Sequence, residues 1–392
     1  MFCPQSRVGR RSGHPAAATL IYMSGLPDDI CELLRRHDGV LLTADARRAG
    51  ISRSRLSRLA SGGQLTRLVH GVYTSADEFA GLDDWQRFAM RARAFALMGA
   101  PNSYLTGWAG VVIRGFPTVG RPPKLATVVR PKSAQPWPFT GIGGRVLVAE
   151  VPKEHRRCDG RVPIVSDEWA VVEVARTAKL PDSLVVADVA VRRGLDLAGV
   201  LPHMHRWEGI GRAAWVVEQS VSTIESPLET LGRFTFIESD LPMPVTNAWV
   251  GRDRPEWRLD GLLPWHWWGY EADGALKYDN RDDASQIVRA QHQREFQLRR
   301  LGLDLVRFGW PNAYPSREPL AHKVRVMFGD HPARGNPIRW WMDVPGVGPV
   351  EPRREDWPSP DPTCVELPAG WRRDLDGLRD DEADEGDRRT AA

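Results

Sequence analysis

Apolar residues recur at helical spacing in PDDICELLRRHDG, where Ile30, Leu33 and Leu34 share one face. The following segment, LLTADARRAGISRSRLSRLASGGQL, predicts a helix, a short turn and a second helix. Thr43 and Ser52 stand where caps are needed, and Gly50 supplies the turn. Leu56 and Leu59 face inward on the second helix, which leaves Arg53, Ser54, Arg55, Ser57 and Arg58 to its polar side. LTRLVHGVYTS then alternates as a strand pair bent at Gly71. From residue 84 to about 215 the pattern gives helices at DWQRFAMRARAFALMGA, SYLTGWAGVVIRGFP, SDEWAVVEVARTAK and PDSLVVADVAVRRG, with strands at KLATVVRP and GRVLVAEVP. Glu173, Asp188 and Arg192 fall at helical positions that suit a structural ion pair.

The third stretch, 220–330, opens with Ser226 as a cap and Pro227 in the first turn, then a helix with Leu228, Leu231 and Phe234 on one stripe. Strands follow at MPVTNAWVG, EWRLDGLLP and WHWWGYEADG. The helix DDASQIVRAQHQREFQLRRLG repeats Ile287, Gln291, Arg294, Leu298 and Leu301 on one face, and LDLVRFGW closes the unit as a strand. Arg294 therefore lies on the inward stripe, where a cation needs an anion.

Composition adds limits. Of the residues, 42% are apolar and 26% charged, as in ordinary globular chains, and 392 residues suffice for two or three domains. Residues 351–392 hold 7 basic and 13 acidic side chains, so the net +3 divides into a basic body and an acidic tail. That tail, rich in Pro, Asp and Arg, reads as disordered, and residues 1–23 as a disordered or mis-assigned start. The four cysteines are scattered, which argues against a zinc site or a disulfide framework and for a reducing cytoplasm. No apolar run reaches the ~18 residues of a membrane span.

Between Thr43 and Ser75 stand six arginines and one acidic residue. Arginines at the start of the second helix of such a unit suit major-groove and phosphate contacts, and Arg67 and His70 on the strand pair could meet the DNA backbone. The alternative is a small helical domain with a solvated basic face. GVLLTADARRAGISRSRLSRLASGGQLTRLVHGVYT, with its L-x-R-L-x-x-G-V-Y ending, resembles the N-terminal winged-helix domain of AbiEi-type antitoxins of type IV toxin–antitoxin systems. The resemblance covers about 50 residues (24–80 as a domain) and implies promoter binding, autorepression and a nucleotidyltransferase-like toxin as partner. Residues 84–215 resemble the small α/β region that follows it in actinobacterial members.

In the third stretch, Glu271 and Asp273 project to one side of their strand and a hairpin can set Asp260 opposite them, as oxygen ligands surround a divalent metal. A helix with Glu, three strands with Asp and then Glu-x-Asp, a helix with Arg and a final strand resemble the PD-(D/E)XK nuclease superfamily, near the very-short-patch repair endonucleases. ESPLE, LDGLLP, YEADGALKY and QREFQLRRLGLDLVRFGW carry the match. The resemblance gives Glu229 as the helix glutamate, Asp260 and Glu271 as Mg2+ ligands with Asp273 beside them, and Lys277 or Arg294 as the charge that stabilises the transition state. Asp273 stands where that family carries its lysine. The alternative is an ion network in a catalytically inert domain. The sixteen tryptophans, among them Trp257, Trp265, Trp267, Trp268 and Trp310, suit core packing or base stacking.

The expected architecture is thus an α+β multidomain chain: a winged helix-turn-helix, a small middle α/β region and a C-terminal PD-(D/E)XK-like α/β domain with a mixed sheet. The expected function is a DNA-binding, antitoxin-like transcriptional regulator of double-stranded DNA, or alternatively a Mg2+-dependent DNA endonuclease targeted by its winged helix.

Overall fold

The computed structural model describes residues 25–133, 139–141, 143–274 and 284–369. Lys277, Ile287 and Gln291, as side chains, and the expected disordered start lie outside the described residues. The chain is a mixed α/β structure in two compact units, residues 1–116 with 121–173, and residues 117–120 with 174–392.

The first unit begins with α1 (Asp28–Arg36), β1 (Leu41–Leu42), α2 (Thr43–Arg48), α3 (Arg53–Ser61), β2 (Leu65–Val69) and β3 (Val72–Ser75). The three strands form an antiparallel sheet in the order β1-β3-β2. Ile30, Leu34, Leu41, Ala46, Leu56 and Leu65 make its core. Ser52 caps α3 as expected, its Oγ accepting from the Arg55 N–H at 3.2 Å. Thr43 does not cap. Its N–H and Oγ1 both donate to the Gly71 carbonyl, at 2.8 and 3.0 Å, and so tie the start of α2 to the bend of the hairpin. Gly71 meets that bend with φ +76°, where a side chain would strain the backbone.

After α4 (Ala76–Gly81), α5 (Asp84–Leu97) is closed by an Asp83–Gln86 capping box. β4 (Tyr104–Thr106), α6 (Gly107–Ile113), β5 (Thr127–Arg130), β6 (Phe139–Gly141), β7 (Gly144–Val148), β8 (Arg156–Asp159) and β9 (Val162–Val165) follow, and the chain leaves this unit within α7 (Asp167–Thr177). The six strands form one sheet, β6-β7-β5-β4-β9-β8, with β4/β9 and β5/β7 parallel. Phe88, Ala92 and Ala96 of α5 pack on Leu105, Val128 and Ile164. The opposite edge of α5 carries Ala94 and Met90 against Val40 and Val72. Through this shared core the helical unit and the larger sheet lie in one compact unit. A second link is Asp45 of α2, a buried carboxylate that accepts from Arg161 at 2.6 Å and Arg48 at 2.6 Å.

The second unit holds α8 (Leu180–Arg192), α9 (Ile210–Gln219), α10 (Pro227–Glu238), β10 (Val245–Val250), β11 (Trp257–Leu263), β12 (Trp268–Ala272), α11 (Ala284–Arg300), β13 (Asp304–Phe308), α12 (Trp310–Ala313), α13 (Glu318–Asp330), β14 (Trp340–Val344) and β15 (Gly348–Val350). Residues 174–215 lie within this unit. The sheet runs β13-β12-β11-β10-β14-β15, with β12/β13 parallel and the other pairs antiparallel. One core joins Leu228, Leu231 and Phe236 of α10 to Trp268, Tyr270 and Phe308. The other joins Leu298 of α11 to Leu259, Leu262 and Trp340.

Asp188 does not pair with Arg192. It is fully buried, accepts from the Val221 N–H at 2.7 Å and Thr230 Oγ1 at 2.8 Å, and faces the charge of the buried Arg233. Burial pushes its carboxyl up to about 6, against Arg233 and both hydrogen bonds.

The expectation of disorder from residue 351 onward is corrected for the part described. Residues 351–369 form a strap on the second unit. Trp265 Nε1 donates to the Pro358 carbonyl at 2.7 Å, Trp215 Nε1 to the Glu366 carbonyl at 2.9 Å, and the Cys364 N–H to Asp240 at 3.1 Å. Trp357 packs edge-on against Trp265 and Trp340. Composition alone misses these anchors because they depend on side chains supplied by the folded body.

Candidate functional site

Two regions bring chemistry-bearing residues together, one in each unit. In the first, α3 presents Arg53, Ser54, Ser57 and Arg58 as an exposed face, and its buried side is Leu56. The hairpin β2–β3 adds exposed Arg67 and His70. Arg53 and His70 approach to 3.5 Å, which joins helix and hairpin into one surface. Arg58 and Arg67 have no ion pair among the described residues.

Arg55 behaves differently from its neighbours. Its guanidinium grips Asp29 of α1 with two nitrogens, at 2.5 and 2.9 Å. That hydrogen bond holds the Asp29 carboxyl below its usual range. Arg55 therefore fastens α3 to α1 and is not part of the open face. No local pattern foretells this pair, since Asp29 lies 26 positions away.

In the second unit, α10, β11, β12, α11 and β13 supply the other region. Glu229 is buried in the first turn of α10, where Ser226 caps the helix. Its Oε2 accepts from the Glu225 N–H at 3.0 Å and from Asn247 Nδ2 at 3.0 Å. Asp260 lies just before the paired part of the β11–β12 hairpin, which runs from Gly261 to Leu263. Its Oδ2 accepts the Ala272 N–H at 2.7 Å. Burial pushes the Asp260 carboxyl up to about 6, a trend that Glu229 and Glu271 reinforce.

Glu271 is buried, and in the parallel β12/β13 pair it stands directly opposite Arg307. Arg307 touches three carboxylates: Glu271 Oε2 at 2.7 Å, Asp273 Oδ2 at 3.1 Å and Glu295 at 2.9 Å. Arg294 approaches the remaining oxygen, Glu271 Oε1, at 2.6 Å as a charge contact that leaves this buried oxygen without a hydrogen bond, and it also donates to the Arg258 carbonyl. Arg258 in turn makes a two-pronged pair with Glu225, 2.8 Å on each side, and reaches Asp343 at 3.5 Å. Burial raises the Glu271 carboxyl even though Arg294 and Arg307 pull it down. Asp260, Glu271, Asp273, Trp257, Arg258 and Arg294 border an open cleft of about 460 Å³.

Sequence reasoning places Arg294 next to an anion and groups Glu271 with Asp273, and the structure brings all three together. It misses Arg307, although LDLVRFGW reads as a strand. The signal is a lone cation on the same side of β13 as Leu305, but its partner is set by a parallel crossover that no local pattern reveals.

The donor set at Asp260, Glu271 and Asp273 does not fit the expected Mg2+. Both oxygens of Glu271 and one of Asp273 already face guanidinium nitrogens, and one oxygen of Asp260 holds a backbone N–H. Among the described residues, no three His, Cys, Asp or Glu side chains converge as metal ligands would.

Trp268 is fully buried, and Trp265 and Trp267 spend their ring N–H groups on backbone carbonyls, so these serve packing. No helix among the described residues is long and apolar enough to cross a membrane.

The family described as "Transcriptional regulator, AbiEi antitoxin" matches residues 28–76, the stretch from α1 to the first residue of α4. A search of curated proteins finds no match. Among solved structures, the chain is similar to the crystal structure of the RV2827C protein from Mycobacterium tuberculosis, at 15% identity and a TM-score of 0.32, over 53% of this chain and 80% of that one.

Proposed function

We propose that the chain is a DNA-binding transcriptional regulator of the antitoxin type, in which residues 28–76 act as a winged helix-turn-helix. The observation that carries this reading is the exposed face of α3, Arg53, Ser54, Ser57 and Arg58, continued by Arg67 and His70 on the hairpin. In such a unit α3 enters the major groove and the hairpin lies along the backbone. Arginine and serine there suit base edges and phosphates. The antitoxin-regulator match over residues 28–76 supports the same role and makes a toxin the natural protein partner, of nucleotidyltransferase type by the resemblance of the sequence.

The test is fluorescence anisotropy with a duplex from the region upstream of the chain's own gene, against a scrambled duplex. The regulator reading expects tighter binding to the first, lost on replacing Arg53 and Arg58 by Ala. Equal affinity for both duplexes, unaffected by the replacement, would rule it out.

A second reading, a Mg2+-dependent endonuclease, draws on the order α10, β10, β11, β12, α11, β13, which resembles that of a PD-(D/E)XK domain, with Asp260 and Glu271 on one cleft and Glu229 close enough to raise the Asp260 carboxyl. It needs carboxylate oxygens clear of other cations, whereas Glu271 and Asp273 lie against Arg294 and Arg307. We therefore give the C-terminal unit a non-catalytic role beside the regulator. Mg2+- or Mn2+-dependent cleavage of duplex DNA, abolished by Asp260→Ala/Glu271→Ala, would reverse that ranking.

A further inference from the structure

We infer that Arg307 and Arg294 take the place of a divalent cation in the C-terminal unit, so that its carboxylate centre is an arginine-held ion cluster closed to metals. The inference concerns this sheet alone and does not depend on the regulator reading.

The argument begins with position. Residues on neighbouring parallel strands meet side by side, and the register sets Glu271 of β12 beside Arg307 of β13. From there the planar fork of Arg307 spreads to three acids, Glu271, Asp273 and Glu295, each within 3.1 Å. Arg294 approaches the other side of Glu271 from α11. Two cations thus sit among three carboxylates. Glu271 is 7% exposed at its side chain and Arg307 22%, so water screens that pair weakly, while Asp273 and Arg294 stand at the open rim.

A hard divalent cation requires several oxygens within about 2.0–2.6 Å. To reach Glu271 it would have to displace at least one guanidinium and lie beside the other, where like charges repel. The position that carries a lysine in the resembled nucleases is here Asp273, and its charge is met by Arg307 rather than by a metal. The inward cation has in effect moved from β12 to β13, and it has moved to a reach that spans the ligand oxygens.

The test uses the full chain. Mn2+ is titrated by calorimetry and by loss of its electron-spin signal, and Tm is measured with EDTA and with millimolar Mn2+. The wild type should show no saturable binding and the same Tm in both. Arg307→Met frees three carboxylates with only Arg294 left beside them. It should melt lower in EDTA and recover part of that loss in Mn2+, and adding Glu271→Gln should erase the recovery. Arg307→Lys, which keeps a cation, should resemble the wild type.

Saturable Mn2+ binding by the wild type that disappears in Glu271→Gln would overturn the inference. So would an Arg307→Met protein that folds, melts like the wild type and ignores Mn2+. Should Arg307→Met fail to fold, Arg294→Met asks the same question from the other oxygen of Glu271, and the wild-type titration decides by itself.

Discussion

Among the arginines of α3, identical side chains have opposite duties. Arg53 and Arg58 are exposed, whereas Arg55 is bound to Asp29. Replacing Arg53 or Arg58 by Ala should weaken DNA binding and lower the salt dependence of log K by about one unit for each phosphate no longer neutralised. Arg55→Ala should leave that slope unchanged and shift thermal unfolding instead. Anisotropy across a salt series together with Tm separates the two effects. A second prediction at this scale concerns Asp188. Its folded carboxyl titrates near 6 while an unfolded one stays near 3.8, so the folded state holds the extra proton between them. Stability from this group is complete at lower pH and declines as pH rises through 6, by about 3 kcal/mol. Denaturant midpoints at pH 4.5 and 7.5 should show about 2 kcal/mol of that decline in the wild type, the rest being lost already between pH 3 and 4.5. Asp188→Asn should flatten it, with a further loss above pH 6, where Arg233 is deprived of its buried counter-charge.

The strap is the element whose removal is easiest to interpret. A chain ending at Val350 loses the hydrogen bonds to Trp215 and Trp265 and the packing of Trp357. It should be less stable by about 2–4 kcal/mol and show red-shifted tryptophan emission, while DNA binding by the first unit persists. The same scale explains what is legible in the sequence. α3, α5 and α10 can be read from it because apolar positions share a face and a capping residue marks the start, and α1 from its apolar face alone. SYLTGWAGVVIRGFP reads as one helix, yet Tyr104–Thr106 is a strand and the helix begins at Gly107. Three residues are too few to show a period of two, and β4 exists because β5 and β9 flank it. β8 and β9 escape the pattern reading although Asp159-Gly160 is a hairpin signal, and Gly160 indeed has φ +57°. In the candidate site, the carboxylates are visible from the sequence. Their neutralisation by Arg307 is not, because it depends on which strand lies next to β12.

For the whole molecule, charge and chemistry are separated along the chain. Glu271, Asp273 and Asp343 of the C-terminal unit lie against arginines, whereas the α3 and hairpin surface is left with open arginines. DNA affinity should therefore fall steeply between about 50 and 200 mM salt while remaining indifferent to EDTA at constant ionic strength. An EDTA-sensitive affinity, measured by the same anisotropy titration, would link the two units' chemistry and contradict this view.

The order in which the polypeptide is made gives the strap a further meaning. The first unit is built almost wholly from residues before 174, and these can collapse as they leave the ribosome. The second unit has to wait. β14 pairs with β10 some 90 residues after it, and Pro358 and Glu366 meet tryptophans that emerged 93 and 151 residues earlier. Trp215 and Trp265 are therefore without their carbonyl acceptors for much of translation. That interval is when a nascent chain would be most open to chaperone capture, and a folded first unit would be present before the second is complete.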